Sequence, residues 1–323
     1  MRVELRNVRK RFGATEVLRG IDLTIPSGRR VGLVGPNGSG KSTLTRVLMG
    51  ILGCEGTVHL DGRSPFDDRV ALARRLAYVP QVAPQLAATV GEVLQAVARL
   101  RGLPPSRVAD TASALELELA PISGRPFRAL SGGMKQKLLI ALALSARASL
   151  LILDEPTASL DARARDRFFR LFADAAEGAT LLLCSHRLEE VRHLVDHVVL
   201  MDEGRVAYDG PAGEFLDQRA LCLIEVSVAG AAHDAWLTGR GFRRGTGGSW
   251  ACTVSHVEKM PLLRELATVL GPDQRNLLVR DLESIDSEHR PELRPALLRD
   301  PRPEVPAPPP ASTQDGASDA RAS

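Results

Sequence analysis

Three things are scarce in this sequence: long apolar runs, paired cysteines and aromatic side chains. The longest purely apolar stretch in the middle of the chain, Leu138 to Leu144, is far shorter than the ~20 residues that cross a bilayer. The opening residues, MRVELRNVRKRF, are charged throughout and contain no apolar signal core. The chain is therefore expected not to span a membrane by itself, and any membrane role needs a partner. The cysteines, Cys54, Cys184, Cys222 and Cys252, lie far apart with no C-x-x-C pair. Zinc knuckles and a disulfide framework are excluded on that spacing, and the four read as small buried hydrophobes in a reducing compartment. Aromatics make up only 4% of the chain, too few for base-stacking platforms. Lys+Arg 42 against Asp+Glu 39 leaves a net charge of +3, too little to attract nucleic acid by charge alone. No nucleic-acid partner is expected. What remains is a 323-residue chain, 44% hydrophobic, with core material for about two domains.

Residues 1–218 alternate short apolar strands with helical patterns, the order of an α/β domain with a mainly parallel sheet. Strands are predicted at Val31–Val34, Thr57–Leu60, Leu76–Val79, Leu150–Leu153 and Thr180–Cys184. A hairpin is predicted around Asp202-Glu203-Gly204. Helices are predicted at Lys41–Met49, Val90–Arg101, Arg107–Glu118, Gly132–Ala146, Asp161–Ala176 and Leu188–Val195. Residues 219–285 follow the order βαββαβ, a small α+β module of ferredoxin-like type. That order uses a Gly-Thr-Gly-Gly turn between its second and third strands. Residues 286–323 hold 8 of the 21 prolines and run through Pro-Ala-Pro-Pro-Pro into Ser, Ala and Asp. Such a composition buries too little to offset ordering entropy, so a disordered Pro/Ala-rich tail is expected.

The clearest chemistry lies in Gly35-Pro36-Asn37-Gly38-Ser39-Gly40-Lys41-Ser42, which fits G-x-x-x-x-G-K-[ST] without mismatch between an apolar strand and a helix. Glycines let backbone N–H groups approach phosphate oxygens. The helix N-terminus favours an anion, and Lys41 adds a full charge at the β/γ-phosphates. Ser42 offers a hydroxyl to Mg²⁺, and Thr43 can help hold the α/β-phosphates. Leu150-Leu151-Ile152-Leu153-Asp154-Glu155 then sets two carboxylates at the carboxyl end of a buried strand, where open α/β sheets bind ligands. Asp154 is assigned to Mg²⁺ and Glu155 to the attacking water as general base. A second anion-binding turn, Leu130-Ser131-Gly132-Gly133-Met134-Lys135-Gln136, opens another helix some 90 residues on. It implies phosphate contact from a different direction, as two copies facing head to tail would provide.

These strings together resemble the ATP-binding subunits of ABC transporters, over roughly residues 1–218 and in unbroken motif order. LSGGMKQ resembles that family's signature motif, and Tyr78-Val79-Pro80-Gln81 its Q-loop. Ser159-Leu160-Asp161 resembles the D-loop, Cys184-Ser185-His186 the switch histidine, and Arg11-Phe12-Gly13 the A-loop. The resemblance implies a P-loop NTPase fold: a mainly parallel sheet, an antiparallel β subdomain and a helical subdomain over about residues 90–140. It implies ATP and Mg²⁺ as cofactors. Phe12 would stack on adenine, against the alternative of a core aromatic. Gln81 would reach Mg²⁺ and the attacking water, and His186 would contact the γ-phosphate. Ser131, Gly132 and Gly133 would cover the γ-phosphate of the other copy, with Asp161 at the seam. It further implies a second ATP-binding subunit, a homodimer in the simplest case, and a separate transmembrane permease met at the cytoplasmic face. Glu92 and Gln95 are candidate rim contacts to that permease, against the alternative of a solvated helix face.

Two departures from the family pattern matter, and the first speaks against a fused exporter. VAPQLAATV follows Gln81 in place of an exporter-type acidic loop, and Ile51 to Gly56 is a trimmed turn. A lone ATPase with a short α/β extension resembles subunits that pair with ABC-2-type permeases. The ending Leu282-Glu283-Ser284-Ile285 resembles subunits of copper-site maturation systems for nitrous oxide reductase. A soluble ABC factor in translation or repair is the other alternative. It is opposed by the single phosphate loop and by the lack of a sustained heptad run.

Overall fold

A computed structural model describes residues 1–176, 178–219, 221–229, 231–245 and 249–281. The tail at 286–323, the Leu282–Ile285 ending and residues 246–248 of the Gly-Thr-Gly-Gly turn lie outside them.

The central element is a six-stranded sheet in the order β5-β6-β7-β3-β8-β9. Its strands are β3 (Arg30–Val34), β5 (Leu76–Val79), β6 (Leu150–Asp154), β7 (Thr180–Cys184), β8 (His197–Asp202) and β9 (Arg205–Pro211). All neighbours are parallel except the hairpin of β8 and β9. LLILD and TLLLC are buried along their whole length, as strands covered on both faces must be. A three-stranded antiparallel sheet of β1 (Val3–Phe12), β2 (Thr15–Ile25) and β4 (Glu55–Leu60) packs on one face around α1 (Lys41–Leu48). Strands β1 and β2 are not marked by a clear period in the sequence. Their alternation is broken by register shifts between Leu5 and Val8 and between Lys10 and Arg11, which blur a period of two. The short α2 (Arg69–Ala73) is likewise unmarked there.

The helical part consists of α3 (Val90–Arg101), α4 (Pro105–Ala114), α5 (Gly132–Ser145) and α6 (Ala162–Ala175). Helix α3 starts at a Thr89/Glu92 capping box and stops at Gly102, whose φ of 63° is left-handed. Helix α4 is displaced from its predicted span of 107–118. Pro105 suits a first helical turn, and Glu116, at φ 57°, breaks the helix early. Helix α5 is apolar nearly all round and runs through the core. Ala164, Phe168 and Phe172 form the buried stripe of α6, with ring centroids of the two phenylalanines 5.8 Å apart. Burial of each such ring contributes roughly 1.5–3 kcal/mol.

The short α7 (Leu188–Leu194) links β7 to β8, and α8 (Ala212–Arg219) follows β9. Next come β10 (Leu221–Val228), α9 (Asp234–Gly239), β11 (Arg243–Arg244), β12 (Trp250–Ser255), α10 (His256–Leu270) and β13 (Gln274–Asp281). The sheet order β11-β12-β10-β13, antiparallel throughout, is that of a ferredoxin-like split βαβ unit. It has its own core around Ile224, Phe242, Trp250 and Leu266. Helix α10 packs against α8, which in turn contacts β8 and β9. Cys184, Cys222 and Cys252 are buried, Cys54 is half-buried, and all four are free thiols.

Candidate functional site

Strands β6, β7 and β3 are consecutive in the sheet, so their carboxyl ends lie side by side within about 10 Å. Each end carries a different candidate. The phosphate loop follows β3, Asp154 and Glu155 close β6, and Ser185-His186 follows β7. Gln81 follows β5, the neighbour of β6, and is exposed.

The phosphate loop is a backbone structure. Gly35 has φ 143°, and a Cβ there would lie 2.1 Å from the carbonyl oxygen of Met201. Gly40, the N-cap of α1, has φ 103°, and a Cβ there would press on Leu18 and on the carbonyl oxygen of Val17. The loop is thus pinched between β8 and β2, and the Gly204 N–H donates to the Ser39 carbonyl at 3.2 Å. Lys41 Nζ donates to the carbonyls of Gly35 and Pro36, which draws its ammonium over the loop. The Ser39 hydroxyl is buried without a partner among the described residues, an orphan polar atom in an anion cradle.

Asp154 is 8% exposed and receives a long bond of 3.4 Å from the Tyr78 hydroxyl. Burial raises its carboxyl above the usual range, and the neighbouring Glu155 charge adds to this. Burial, followed by the Asp154 charge, pushes Tyr78 up to about 12. The sequence marks Tyr78 only as part of the Q-loop string and gives no sign of its bond to Asp154. Its role follows from the register that sets Tyr78 beside Ile152, two residues from the carboxyl end of β6.

Glu155 adopts φ 47°, a left-handed conformation that costs an L-residue roughly 1–2 kcal/mol. Its N–H donates to the Cys184 carbonyl at 2.8 Å, which ties the end of β6 to the end of β7. Its Oε1 accepts the His186 N–H at 3.1 Å and lies 2.6 Å from His186 Nδ1. Its Oε2 is buried without a partner among the described residues.

The other predicted residues lie apart from this cluster. Phe12 ends the first strand of a hairpin whose second strand abuts Gly40. It is 48% exposed, with Lys10 Nζ 5.3 Å from its ring centroid, which removes the core-aromatic alternative. Ser131 is exposed at the tip of α5 and caps that helix, accepting the Met134 N–H at 3.3 Å. The turn of Gly132 and Gly133 rests on Ser159, where a Cβ at Gly133 would lie 3.2 Å from the carbonyl. Asp161 caps α6 through the Ala164 N–H at 2.8 Å. Among the described residues no hydrogen bond joins Ser131 to residues 35–43. Glu92 serves the capping box of α3, where its carboxylate accepts the Thr89 N–H and hydroxyl while the residue stays exposed.

The arrangement can bind a nucleoside triphosphate and activate water against its terminal phosphate. A family profile described as ABC transporter matches residues 18–158. The chain is 38% identical over 234 residues to a Nod factor export ATP-binding protein I of Cupriavidus metallidurans, covering 69% of this chain and 76% of that one. It is 37% identical to a nickel import ATP-binding protein, NikO, of Rhodobacter capsulatus, covering 68% and 92%. A solved ATP binding subunit of an ABC transporter is similar with a TM-score of 0.60 at 27% identity, covering 68% of this chain and 93% of that one. Export and import proteins thus both stand among the relatives, and these names favour a transport subunit over the copper-site and soluble alternatives. Such subunits bind and hydrolyse ATP and act with transmembrane permease components; among the described residues no helix is long and apolar enough to cross a membrane. With motif order, strand-end geometry and relatives in agreement, the chain belongs to the ATP-binding subunits of ABC transporters.

Proposed function

We propose that two copies of this chain pair head to tail and enclose two Mg-ATP molecules, and that hydrolysis drives a separate permease of the ABC-2 type at the cytoplasmic face of the membrane. The observation that carries this reading is the Glu155–His186 pair, held at 2.6 Å beside the phosphate loop.

In this reading Lys41, Thr43 and the N–H groups of residues 35–40 hold the phosphates, and Phe12 stacks on adenine. The donors available for the metal are hard oxygens: the Ser42 hydroxyl, the Gln81 amide and the Asp154 carboxylate. They fit Mg²⁺, which takes few protein ligands beside phosphate and water. Bound there, Mg²⁺ would neutralise charge on the β- and γ-phosphates.

Glu155 is oriented through Oε1 by His186, and its carboxylate takes the proton of the attacking water. His186 steadies the γ-phosphate. Ser131 and Gly132 are exposed at the start of α5, which supports contact with the partner copy's γ-phosphate in trans. Asp161, two residues after the Ser159 on which the Gly132-Gly133 turn rests, then lies at the seam. The closed dimer is the state favoured by ATP, because only the triphosphate bridges both copies. The compact βαββαβ extension after a single ATPase domain supports the ABC-2 assignment.

Glu155→Gln tests the reading. Removal of the base lowers kcat by roughly 10²-fold or more while ATP still binds. The variant is expected to accumulate as an ATP-bound dimer by light scattering. A variant that stays monomeric in saturating ATP would overturn the two-site arrangement.

A further inference from the structure

Three carboxylates lie near the ends of β6 and β7, and the proposed chemistry uses only two of them. The third, Glu190, is in α7 and is fully buried. The Thr157 hydroxyl, itself fully buried, donates to Glu190 Oε1. Thr157 lies two residues after Glu155. On the other side Glu190 adjoins Ser185, also fully buried and directly before His186. The Ser185 hydroxyl accepts the Arg187 N–H at 3.0 Å, which shapes the turn that presents the histidine. One buried carboxyl therefore touches both loops that carry the proposed hydrolytic pair.

The backbone gives this contact a purpose. Glu155 sits in a left-handed conformation that a glutamate does not adopt unaided, so neighbouring bonds must hold it. Gln136, buried in α5, donates to the Pro156 carbonyl at 2.9 Å from one side. Glu190 grips Thr157 from the other. Two consecutive residues after Glu155 are thus clamped by helices that begin at the two proposed phosphate-contacting turns, Ser131 and His186. We propose that Glu190 is a positioning residue for ATP hydrolysis, holding the strained Glu155 loop through Thr157 against the His186 loop so that the base and the histidine meet. The proposal rests on the assignment of Glu155 and His186 to hydrolysis.

The test compares Glu190→Ala, Glu190→Gln, Thr157→Val and the double variant Glu190→Ala/Thr157→Val in the full chain. ATPase kinetics and direct binding of a fluorescent ATP analogue are measured on each. Loss of positioning should appear in kcat and spare binding. Glu190→Ala and Thr157→Val should each lower kcat about tenfold or more with nucleotide affinity within about twofold, and the double variant should be no worse than the poorer single one. Glutamine can still accept the Thr157 hydrogen bond, so Glu190→Gln should keep kcat within about threefold of the parent. A wild-type kcat in Thr157→Val overturns the proposal even if Glu190→Ala does not fold. So does an equal loss in the Gln and Ala variants, a fall in affinity that matches the fall in kcat, or multiplying losses in the double variant. Glu155→Gln and His186→Ala serve as controls. If they retain activity, the underlying site assignment fails and takes this proposal with it. If they lose activity while the Glu190 and Thr157 variants do not, the role of Glu190 alone is refuted.

Discussion

Glu190 shows how far burial alone can alter a side chain. Burial is the main force raising its carboxyl above the ordinary 4.5, and the Glu155 charge pushes the same way. The hydroxyls of Thr157 and Ser185 and the charge of Arg187 oppose them. The folded protein therefore keeps this proton to a higher pH than the unfolded chain does. Below the unfolded value both states are protonated and there is no penalty. As pH rises through the window above it, folding stability is lost until the folded group also ionises. Glu190→Gln removes that loss. Its melting temperature relative to the parent is expected to climb as pH rises above about 4.5, and a difference that stays constant with pH would contradict a raised carboxyl.

At the scale of elements, Ser131 and Asp161 have two duties. Each caps its own helix, and each is proposed to face the other copy. Loss of a cap costs about 1 kcal/mol, a modest effect on folding. Ser131→Ala should therefore melt only slightly lower, yet lose most of its ATPase activity if the hydroxyl serves the partner's site. Complementation separates these duties. Lys41→Ala and Ser131→Ala should each be inactive as homodimers, but a mixed dimer would have one site with both groups intact. An equimolar mixture should recover about a quarter of the parent activity, since half of random dimers are mixed and each has one good site. No recovery on mixing would show that Ser131 acts on its own chain's nucleotide.

For the molecule as a whole, the two folded parts each have a separate core, and α8 with α10 forms the contact between them. The ferredoxin-like sheet is complete at Asp281, its last strand paired along β10. Removing residues 286–323 is therefore expected to leave kcat and the melting temperature unchanged. A loss of more than about half the activity would show that the segment contributes to the working enzyme.

Composition, motif order and spacing by themselves determined the phosphate loop, Asp154-Glu155, the central strands and the βαββαβ order. Each of these depends on local chemistry: glycines where a loop must open, wholly apolar runs where a strand is covered on both faces, turn residues between. Other features depend on residues distant in the chain, and only the tertiary structure decided them. Register shifts in the pairing of β1 with β2 hid the period of that strand. Tyr78 meets Asp154 only because β5 pairs with β6. Nothing in Leu188-Glu189-Glu190 marks which glutamate is buried; the packing of α7 against the turn after β6 makes that choice. A hydrogen bond across 33 residues leaves no periodic trace, because it requires only that two chain segments end at the same place in space.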